Sequence, residues 1–401
     1  MTTLWQKLRG LLGAEFVPGV DLGQFAVDGV EPQVLVRLQS REDIARFTEW
    51  ANTHFYAIIP WGGGTRMSMG NVPRKYEIAL SLARLNRVVE HTPEDMTVTV
   101  EAGMGLGELQ RQLARHGQFL PVEAPDSATL GGIIAANAYG PSRLAWGMIR
   151  DWLIGIRFVR ADGKLVHGGG KVVKNVAGYD LCKLLVGSYG TLGIIVEATF
   201  KVAPLPEARY ACITNSTHLP LIHASPVRPQ FLDLLDSRAC RDVKLEGLGD
   251  DTIVLGVSGT REEADWQVGQ LATKQVHFDP ATLTRFGESD EVVLRFVGKP
   301  SQVNQLRKQL AEAFDGHLKL TAHVDLCVFR CAVPDRRDLA ETIQRFRSVG
   351  YQVVVERAPA RLKNAIDTWG DPGPSLALMK KVKHEFDERH ILNPGRFVGG
   401  I

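Results

Sequence analysis

The segment that most constrains this chain is residues 60–66, which reads PWGGGTR and follows the apolar run 56–59. A strand that runs into Gly62, Gly63 and Gly64 leaves successive backbone N–H groups with no side chain over them. Such groups can converge on an anion, and a diphosphate fits that arrangement. Three glycines are also typical of an ordinary flexible turn, so the loop alone leaves both interpretations open.

Length and composition indicate a folded protein with a substantial core. The 401 residues are 44% hydrophobic and 23% charged, enough for two or three domains. The net charge of +2 gives no reason to expect a nucleic-acid partner. No apolar run approaches the roughly 20 residues that span a bilayer, and residues 1–17 lack a signal-peptide pattern. We therefore expect no nucleic acid and no direct membrane insertion.

The cysteines favour a reducing, cytoplasmic environment. There are five, an odd number, and most are far apart in the sequence. Cys327 and Cys331 could form half of a metal site, but they lie in an alternating, strand-like run. We interpret them as small buried residues and predict no metal site.

The first half of the chain alternates strands with helices. Residues 34–36 read as a strand, Ser40 caps a helix with Asp43 as an acidic capping-box residue, and 56–59 form the next strand. Further predicted elements are strands at 78–82, 97–101 and 194–202, a helix from 106 ending at Gly117, a glycine-interrupted helix within 128–140, a hairpin turning at Asp162-Gly163, and a helix at 180–185.

From about Tyr210 the glycines become rarer and strands alternate with amphipathic helices, which indicates a second α+β unit. The predicted strands are 252–257, 292–297, 324–330 and 351–356; the predicted helices are 262–274, 301–314, 338–347 and 375–390. We find no internal repeat in the sequence.

An ordered set of short motifs identifies a family. The pieces are PWGGGT (60–65), VTVEAG (98–103), PDSATLGGIIAANAYG (125–140), DWLIGIRFVRADG (151–163), KNVAGYDLCKLLVGSYGTLGII (174–195) and NPGRF (393–397). In this order the chain resembles the FAD-binding family that includes vanillyl-alcohol oxidase, p-cresol methylhydroxylase and FAD-linked 2-hydroxy-acid dehydrogenases. The resemblance covers most of residues 30–205 and the C-terminal tail.

The resemblance implies an α+β fold. It consists of a two-lobed p-cresol methylhydroxylase-type FAD-binding domain (1–206), a smaller α+β, ferredoxin-like cap or docking domain (207–360), and a C-terminal segment (361–401) that returns to the FAD domain. Some relatives attach FAD covalently through a histidine in the glycine loop. In this sequence the loop carries Thr65 and contains no histidine, so we expect FAD to be bound non-covalently.

The resemblance also implies which residues bind FAD. The glycine loop would hold the diphosphate, the 127–133 segment would follow the diphosphate and ribityl chain, and the later glycines would approach the cofactor through their backbone. The predicted residues are Pro60, Trp61, Gly62, Gly63, Gly64, Thr65, Arg66, Ser127, Thr129, Leu130, Gly131, Gly132, Ile133, Asn137, Gly190, Gly193, Ile195 and Asn393. Asn137 could equally bond a buried turn.

More narrowly, the KNVAGYDLCKL stretch and the ending LNPGRFVGGI resemble the FAD-binding subunits of bacterial glycolate oxidases. This implies an FAD-dependent oxidoreductase that acts on a CH–OH group as part of a heteromeric complex, oxidising glycolate, a small 2-hydroxy acid, to glyoxylate. The implied partners are a larger FAD-linked catalytic subunit and an iron–sulfur subunit. The implied location is cytoplasmic, with peripheral attachment to the inner membrane through partners.

One departure from the family leaves the catalytic residues unknown. Relatives that oxidise 2-hydroxy acids themselves carry a His-x-Gly-Asp-Gly-Asn-x-His stretch, and the nearest fragment here is His323-Val324-Asp325. We interpret His317 and His323 as ordinary residues beside a strand. The alternatives are a stand-alone FAD-dependent 2-hydroxy-acid dehydrogenase, an FAD-dependent reductase of the same fold, and an assembly subunit that has lost its flavin.

Overall fold

The computed structural model describes residues 4, 7, 8, 21–171, 178–245, 248–271 and 273–401. The first lobe is a three-stranded parallel sheet of β1 (Val34–Arg37), β2 (Ile58–Trp61) and β3 (Ile78–Ser81), in the order β1-β3-β2. Helix α1 (Arg41–Thr53) packs on it with Ile44 and Phe47 buried. The Ser40 hydroxyl accepts a hydrogen bond from the Asp43 N–H at 3.1 Å, as the predicted N-cap requires.

The second lobe is a five-stranded antiparallel sheet in the order β4-β5-β9-β7-β8. Its strands, with the short pair β6 and β10, are β4 (Val88–Thr92), β5 (Thr97–Glu101), β6 (Gln118–Phe119), β7 (Leu153–Val159), β8 (Leu165–Gly169), β9 (Ile194–Lys201) and β10 (Ala203–Pro204). Its helices are α2 (Leu106–Ala114), α3 (Leu130–Ala136), α4 (Arg143–Trp146), α5 (Ile149–Trp152) and α6 (Leu181–Leu185).

The cap is an eight-stranded antiparallel sheet in the order β14-β11-β13-β12-β16-β17-β15-β18. Its strands are β11 (Ala208–Asn215), β12 (Phe231–Leu235), β13 (Thr252–Gly259), β14 (Lys274–Val276), β15 (Val292–Val297), β16 (Lys319–His323), β17 (Val328–Val333) and β18 (Gln352–Arg357). Its helices are α7 (Leu219–Ala224), α8 (Ser237–Asp242), α9 (Arg261–Gly269), α10 (Val303–Ala313) and α11 (Leu339–Ser348).

The cap sheet consists of two ferredoxin-like halves. Each half follows the βαββαβ pattern, with helix α8 inserted between β12 and β13 in the first half. The strands lie in the order fourth, first, third, second, reading β14-β11-β13-β12 and, from the opposite edge, β18-β15-β17-β16. The halves join where β12 pairs with β16, which places Asp233 opposite His323. The sequence shows no internal repeat that matches this structural duplication. The predicted ferredoxin-like cap is therefore a double ferredoxin-like unit.

The last segment returns to the first lobe. Helices α12 (Ala360–Ala365) and α13 (Ser375–Phe386) precede a bridge in which Leu392 pairs parallel to Ile58 at the edge of β2. The Lys383 ammonium, on α13, donates to Asp387 at 2.6 Å and to the carbonyls of Thr191 and Leu392 at 2.8 and 2.9 Å. One buried cation therefore ties α13 to both the SYGTLG and the NPGRF motifs.

Short 3₁₀ turns connect these elements. They are Leu22–Phe25, Pro93–Asp95, Ser216–His218, Pro280–Arg285, Pro300–Gln302, Val324–Leu326 and Val398–Gly400.

Most of the predicted elements are confirmed within a few residues, including the strands at 97–101 and 292–297. The predicted strand 324–330 begins too early: residues 328–330 belong to β17, but Val324–Leu326 is a 3₁₀ turn and Cys327 adopts a left-handed conformation with φ 48°. This turn joins β16 to β17. The predicted helix 262–274 is shorter and ends at Gly269. The strands that were not predicted are β4, β6, β10, β11, β12, β14 and β16.

The five cysteines are buried free thiols. Residues 172–177, at the start of the KNVAGYDL motif, lie outside the described residues. Within the described part of the chain, no helix is both long enough and apolar enough to cross a membrane.

Candidate functional site

A cleft lies between the two lobes, beside α3 and the C-terminal segment. Four separated stretches of the chain meet there: the PWGGGTR loop, the TLGG turn into α3, the SYGTLG turn and the NPGRF segment. The predicted FAD-binding residues that line it are Pro60, Gly62, Gly63, Gly64, Thr65, Arg66, Thr129, Gly131, Gly132, Gly190, Gly193, Ile195 and Asn393. We call it the glycine cavity.

The glycine loop packs directly against the backbone of the TLGG turn. A Cβ on Gly63 would overlap the carbonyl of Ser127, and one on Gly62 would overlap the Thr129 hydroxyl. Gly64 has φ +74°, which side chains rarely adopt. The loop therefore needs glycine for its own packing as well as for the approach of a ligand.

Alanine at Gly63 is expected to destabilise the protein by about 1–3 kcal/mol, because the added methyl is forced against the Ser127 carbonyl. Gly132→Ala is the matched control: its Cβ would meet only the Thr129 hydroxyl, at 3.1 Å. Thermal unfolding followed by circular dichroism compares the two variants. Equal unfolding temperatures would contradict this packing of the loop.

The remaining predicted residues lie off the glycine cavity. The Trp61 indole packs on Phe25, with ring centroids 5.1 Å apart, in a separate apolar cluster. Leu130 and Ile133 are buried in the core of the second lobe, since they lie on the inner face of α3. Ser127 is exposed and contributes its carbonyl to the loop packing, while Asn137 ends α3 in a left-handed conformation and lines a neighbouring cavity.

Several residues of the glycine cavity were missed by sequence reasoning. They are Met67, Leu82, Ala135, Ala136, Tyr189 and Arg396. Burial raises the pKa of Tyr189 to about 12, so its hydroxyl stays protonated at neutral pH. Tyr189 lies in the SYGTLG motif and Arg396 in the NPGRF motif, so their position inside these motifs could have indicated that they line the cavity.

Polar groups around the glycine cavity lack partners in the described protein. Asn393 Nδ2 donates to the carbonyl of Tyr189, but its Oδ1 is buried with no hydrogen-bond partner. Arg396 Nη2 donates to the carbonyls of Met67 and Met69, while its Nε is likewise unpaired. Buried polar groups in native proteins are almost always paired. A cavity lined by glycine backbone and by residues with unpaired polar groups fits a polar ligand with phosphate groups.

A second cavity adjoins the first and shares Arg66 and Ala136 with it. We call it the arginine cavity. Its other walls are the segment after α3 and the cap sheet, and its charged or titratable lining residues are Arg66, Tyr139, Arg295, His323, Arg330 and Glu356. The sequence had placed His323 as an ordinary residue; the structure places it at this cavity, with Nδ1 2.5 Å from the buried Asp233.

Glu356 carries the negative charge of this cavity wall. Its carboxylate accepts from Arg330 Nε at 2.9 Å and lies 3.6 Å from Arg295 Nε and 3.9 Å from Arg66 Nη1. Burial opposes its ionisation, but Arg330, Arg295 and Arg66 outweigh burial and lower its pKa to about 2. Glu356 is therefore ionised throughout the physiological range.

Comparison with known proteins identifies an FAD binding domain and several similar proteins. Residues 32–169 match the model of an FAD binding domain. The chain is 26% identical to D-2-hydroxyglutarate dehydrogenase of Xanthomonas citri pv. viticola, over 89% of this chain and 87% of that protein.

Two relatives are glycolate oxidase subunits. Subunit GlcD of Bacillus subtilis is 33% identical over 51% of this chain and 46% of that protein. Subunit GlcE of Escherichia coli is 42% identical over 30% of this chain and 35% of that protein. The chain thus aligns with less than half of either subunit.

Among solved structures, p-cresol methylhydroxylase with bound substrate superimposes with a TM-score of 0.78, covering 98% of this chain and 95% of that chain at 16% identity. This likeness shows the fold. The motif-based resemblance is confirmed for the FAD-binding domain and for the p-cresol methylhydroxylase-type architecture. The chain therefore has the fold of p-cresol methylhydroxylase, and residues 32–169 match an FAD binding domain.

Proposed function

We propose that this protein is the FAD-binding subunit of a glycolate-oxidising complex, which oxidises glycolate to glyoxylate and passes the electrons through flavin to partner subunits. The observation that carries the proposal is the glycine cavity, where four motifs separated in sequence meet around one ligand-sized space. The glycolate complex is supported by similarity to both GlcD and GlcE. FAD, when bound, supplies the two-electron acceptor for oxidation of a C–OH group.

The residues of the glycine cavity divide the work of holding FAD. The backbone of Gly62, Gly63 and Gly64 offers N–H groups to the diphosphate, and such charge-assisted bonds are stronger than neutral ones. Asn393 and Arg396, which also line the cavity, offer their unpaired polar atoms. Within the described lining residues there is no histidine or cysteine, which supports non-covalent FAD.

The substrate class is a small 2-hydroxy acid. The relatives of this chain are named for D-2-hydroxyglutarate, D-lactate and glycolate, which share a hydroxyl group next to a carboxylate. The partners we propose are a larger FAD-linked subunit and an iron–sulfur subunit. The complex would be cytoplasmic, with any membrane attachment made by partners.

A stand-alone FAD-dependent 2-hydroxy-acid dehydrogenase is the second candidate. The alignment with the Xanthomonas dehydrogenase, which spans 87% of that protein, specifically favours it. This candidate predicts that the chain turns over a 2-hydroxy acid without any partner.

Visible spectroscopy of the purified chain tests both candidates. We expect a flavin absorption band that acid precipitation releases into the supernatant. Anaerobic glycolate is expected to bleach the band only slowly until the partner subunits are added, because the proposed function requires the complex.

Three other outcomes would change the assignment. A protein that neither retains flavin nor binds added FAD would refute both candidates. Rapid bleaching by glycolate in the isolated chain would favour the stand-alone dehydrogenase. Flavin that stays in the acid precipitate would contradict non-covalent attachment.

A further inference from the structure

The arginine cavity faces one side of the cap sheet, the side opposite helices α10 and α11. Along β15 the neighbours of Arg295 on the other face, Leu294 and Phe296, are buried in the main cap core. The same alternation along the neighbouring strands brings Thr321, His323, Arg330 and Glu356 to the face that lines the cavity. A charged side chain in the middle of an otherwise apolar strand is rarely buried unless it is paired.

The two strand arginines face each other directly. Arg295 and Arg330 are register partners in the antiparallel pair of β15 and β17. Like charges at opposite positions repel, and this costs stability. An arrangement that brings two guanidiniums together needs negative charge nearby.

Glu356 compensates only part of this positive charge. Its hydrogen bond goes to Arg330, whose other nitrogens donate to the carbonyls of Leu283 and Phe286 at 3.1 Å. Each nitrogen of Arg330 thereby has one hydrogen-bond partner. Arg295 Nη1 donates to the hydroxyl of Tyr139 at 3.0 Å, but its Nε is buried with no hydrogen-bond partner.

Arg66 is the third cation and the link to the glycine cavity. Its guanidinium is 3.9 Å from Glu356, beyond hydrogen-bond distance. Burial and the nearby Arg330 lower the pKa of Arg66, although an arginine remains charged. Within the described residues, Arg66 and Arg295 therefore keep N–H donors that could bind an anionic ligand.

Other lining residues also have buried polar atoms without partners. They are Asn137 Oδ1 and Thr321 Oγ1. His323 Nδ1 is instead in contact with the buried Asp233 carboxylate, 2.5 Å away. Unpaired polar atoms gathered around one cavity indicate a polar ligand there.

We propose that the arginine cavity binds the carboxylate of a small 2-hydroxy or 2-oxo acid through Arg66 and Arg295, without a metal ion. The proposal rests on the proposed function for the identity of the acid. Guanidinium groups match a carboxylate with two parallel hydrogen bonds, and three cations against one carboxylate disfavour a further metal cation. This chain would then hold substrate or product itself, beside its own flavin, in addition to any site on a partner.

Calorimetric titration with oxalate, a two-carbon carboxylate that is not oxidised by the flavin, tests the proposal on the FAD-loaded protein. We expect Arg295→Met to weaken oxalate binding by about 10- to 100-fold, because it removes charge-assisted hydrogen bonds. Arg295→Lys keeps the buried charge and should fold even if the methionine variant does not. It loses the two-pronged geometry and is expected to weaken binding by about tenfold.

Arg209→Met is the matched control. Arg209 is an arginine of the cap whose guanidinium stacks 4.7 Å from the Phe119 ring and lines a different cavity. Its replacement should leave oxalate affinity unchanged. Unchanged affinity in both Arg295 variants, or equal loss in Arg209→Met, would overturn the proposal.

The ligand class and the proposed function are tested separately. Inorganic phosphate that binds more tightly than oxalate would overturn the carboxylate assignment. Flavin that glycolate fails to reduce in the reconstituted complex, together with oxalate binding that depends on Arg295, would refute the proposed function and leave the anion site standing. If glycolate reduces the flavin but the Arg295 variants bind oxalate as tightly as wild type, the proposed function stands and the anion site is refuted.

Discussion

Replacing Glu356 by glutamine is expected to lower the free energy of unfolding by about 3–5 kcal/mol, because it leaves buried guanidiniums without their counter-charge. Arg330 would lose its 2.9 Å hydrogen bond to a carboxylate, and Arg295 and Arg66 would lose the nearest negative charge. Urea unfolding of the FAD-loaded protein at pH 7 measures the change. Added oxalate should restore part of the stability of the variant, since it supplies the missing negative charge.

Glu312→Gln is the control for this experiment. Glu312 pairs with Lys308 on the surface of α10, 3.9 Å apart with both side chains more than half exposed. Exposed pairs of this kind contribute roughly 0–1 kcal/mol, so the control should unfold close to wild type. A loss as small in Glu356→Gln as in Glu312→Gln would show that Glu356 does not compensate the arginines.

The effect of Glu356→Gln also depends on pH, in a direction that the pKa fixes. The folded-state pKa of about 2 lies below the ordinary value of 4.5, so the carboxylate stabilises the protein above pH 4.5. That contribution is lost as pH falls from about 4.5 towards 2. The difference between wild type and Glu356→Gln should therefore shrink over this interval and remain constant from pH 5 to pH 8.

The glycine cavity was largely predictable because its determinants are local. Each motif carries its own signal: glycines at a strand end for Gly62 to Gly64, and a threonine cap with a glycine pair for Thr129 to Gly132. The motifs do not show in which direction each side chain points. Trp61 and Leu130 stand inside the motifs, but their side chains point into apolar clusters instead of the cavity.

The arginine cavity was not predicted because it depends on the pairing of distant strands. Arg295, Arg330 and Glu356 lie on three strands that become neighbours only in the folded sheet. The sequence did contain one sign, a single arginine inside each of the apolar runs 292–297 and 328–333. The position of His323 was not predicted, because the residues after it appeared to begin a strand, whereas they form the turn that follows β16.

The duplicated cap explains where this second site lies. Two ferredoxin-like halves meet where β12 pairs with β16. Asp233 and His323 lie at this junction, and Arg295 and Arg330 lie on the strands of the second half. The halves share topology without a detectable repeat in sequence, because a strand order is fixed by connections and pairing and tolerates many apolar side chains.

Lys383→Met is expected to destabilise the protein by about 3–5 kcal/mol and to weaken FAD retention as well. The substitution strands the fully buried Asp387 without its cation, and breaking a buried pair costs far more than losing an exposed one. It also frees the carbonyls of Thr191 and Leu392, whose chain neighbours Gly190, Gly193 and Asn393 line the glycine cavity. Urea unfolding and flavin released on dilution measure the two effects.

Lys381→Met provides a comparison on the same helix. Lys381 is exposed, so its replacement should change the unfolding free energy by less than about 0.5 kcal/mol. Flavin retention should stay the same. If Lys383→Met lost stability but held flavin as tightly as Lys381→Met, the buried pair would serve only to attach α13. Parallel losses would instead show that the C-terminal segment completes the FAD site, because the same ammonium then holds both cavity-lining motifs in place.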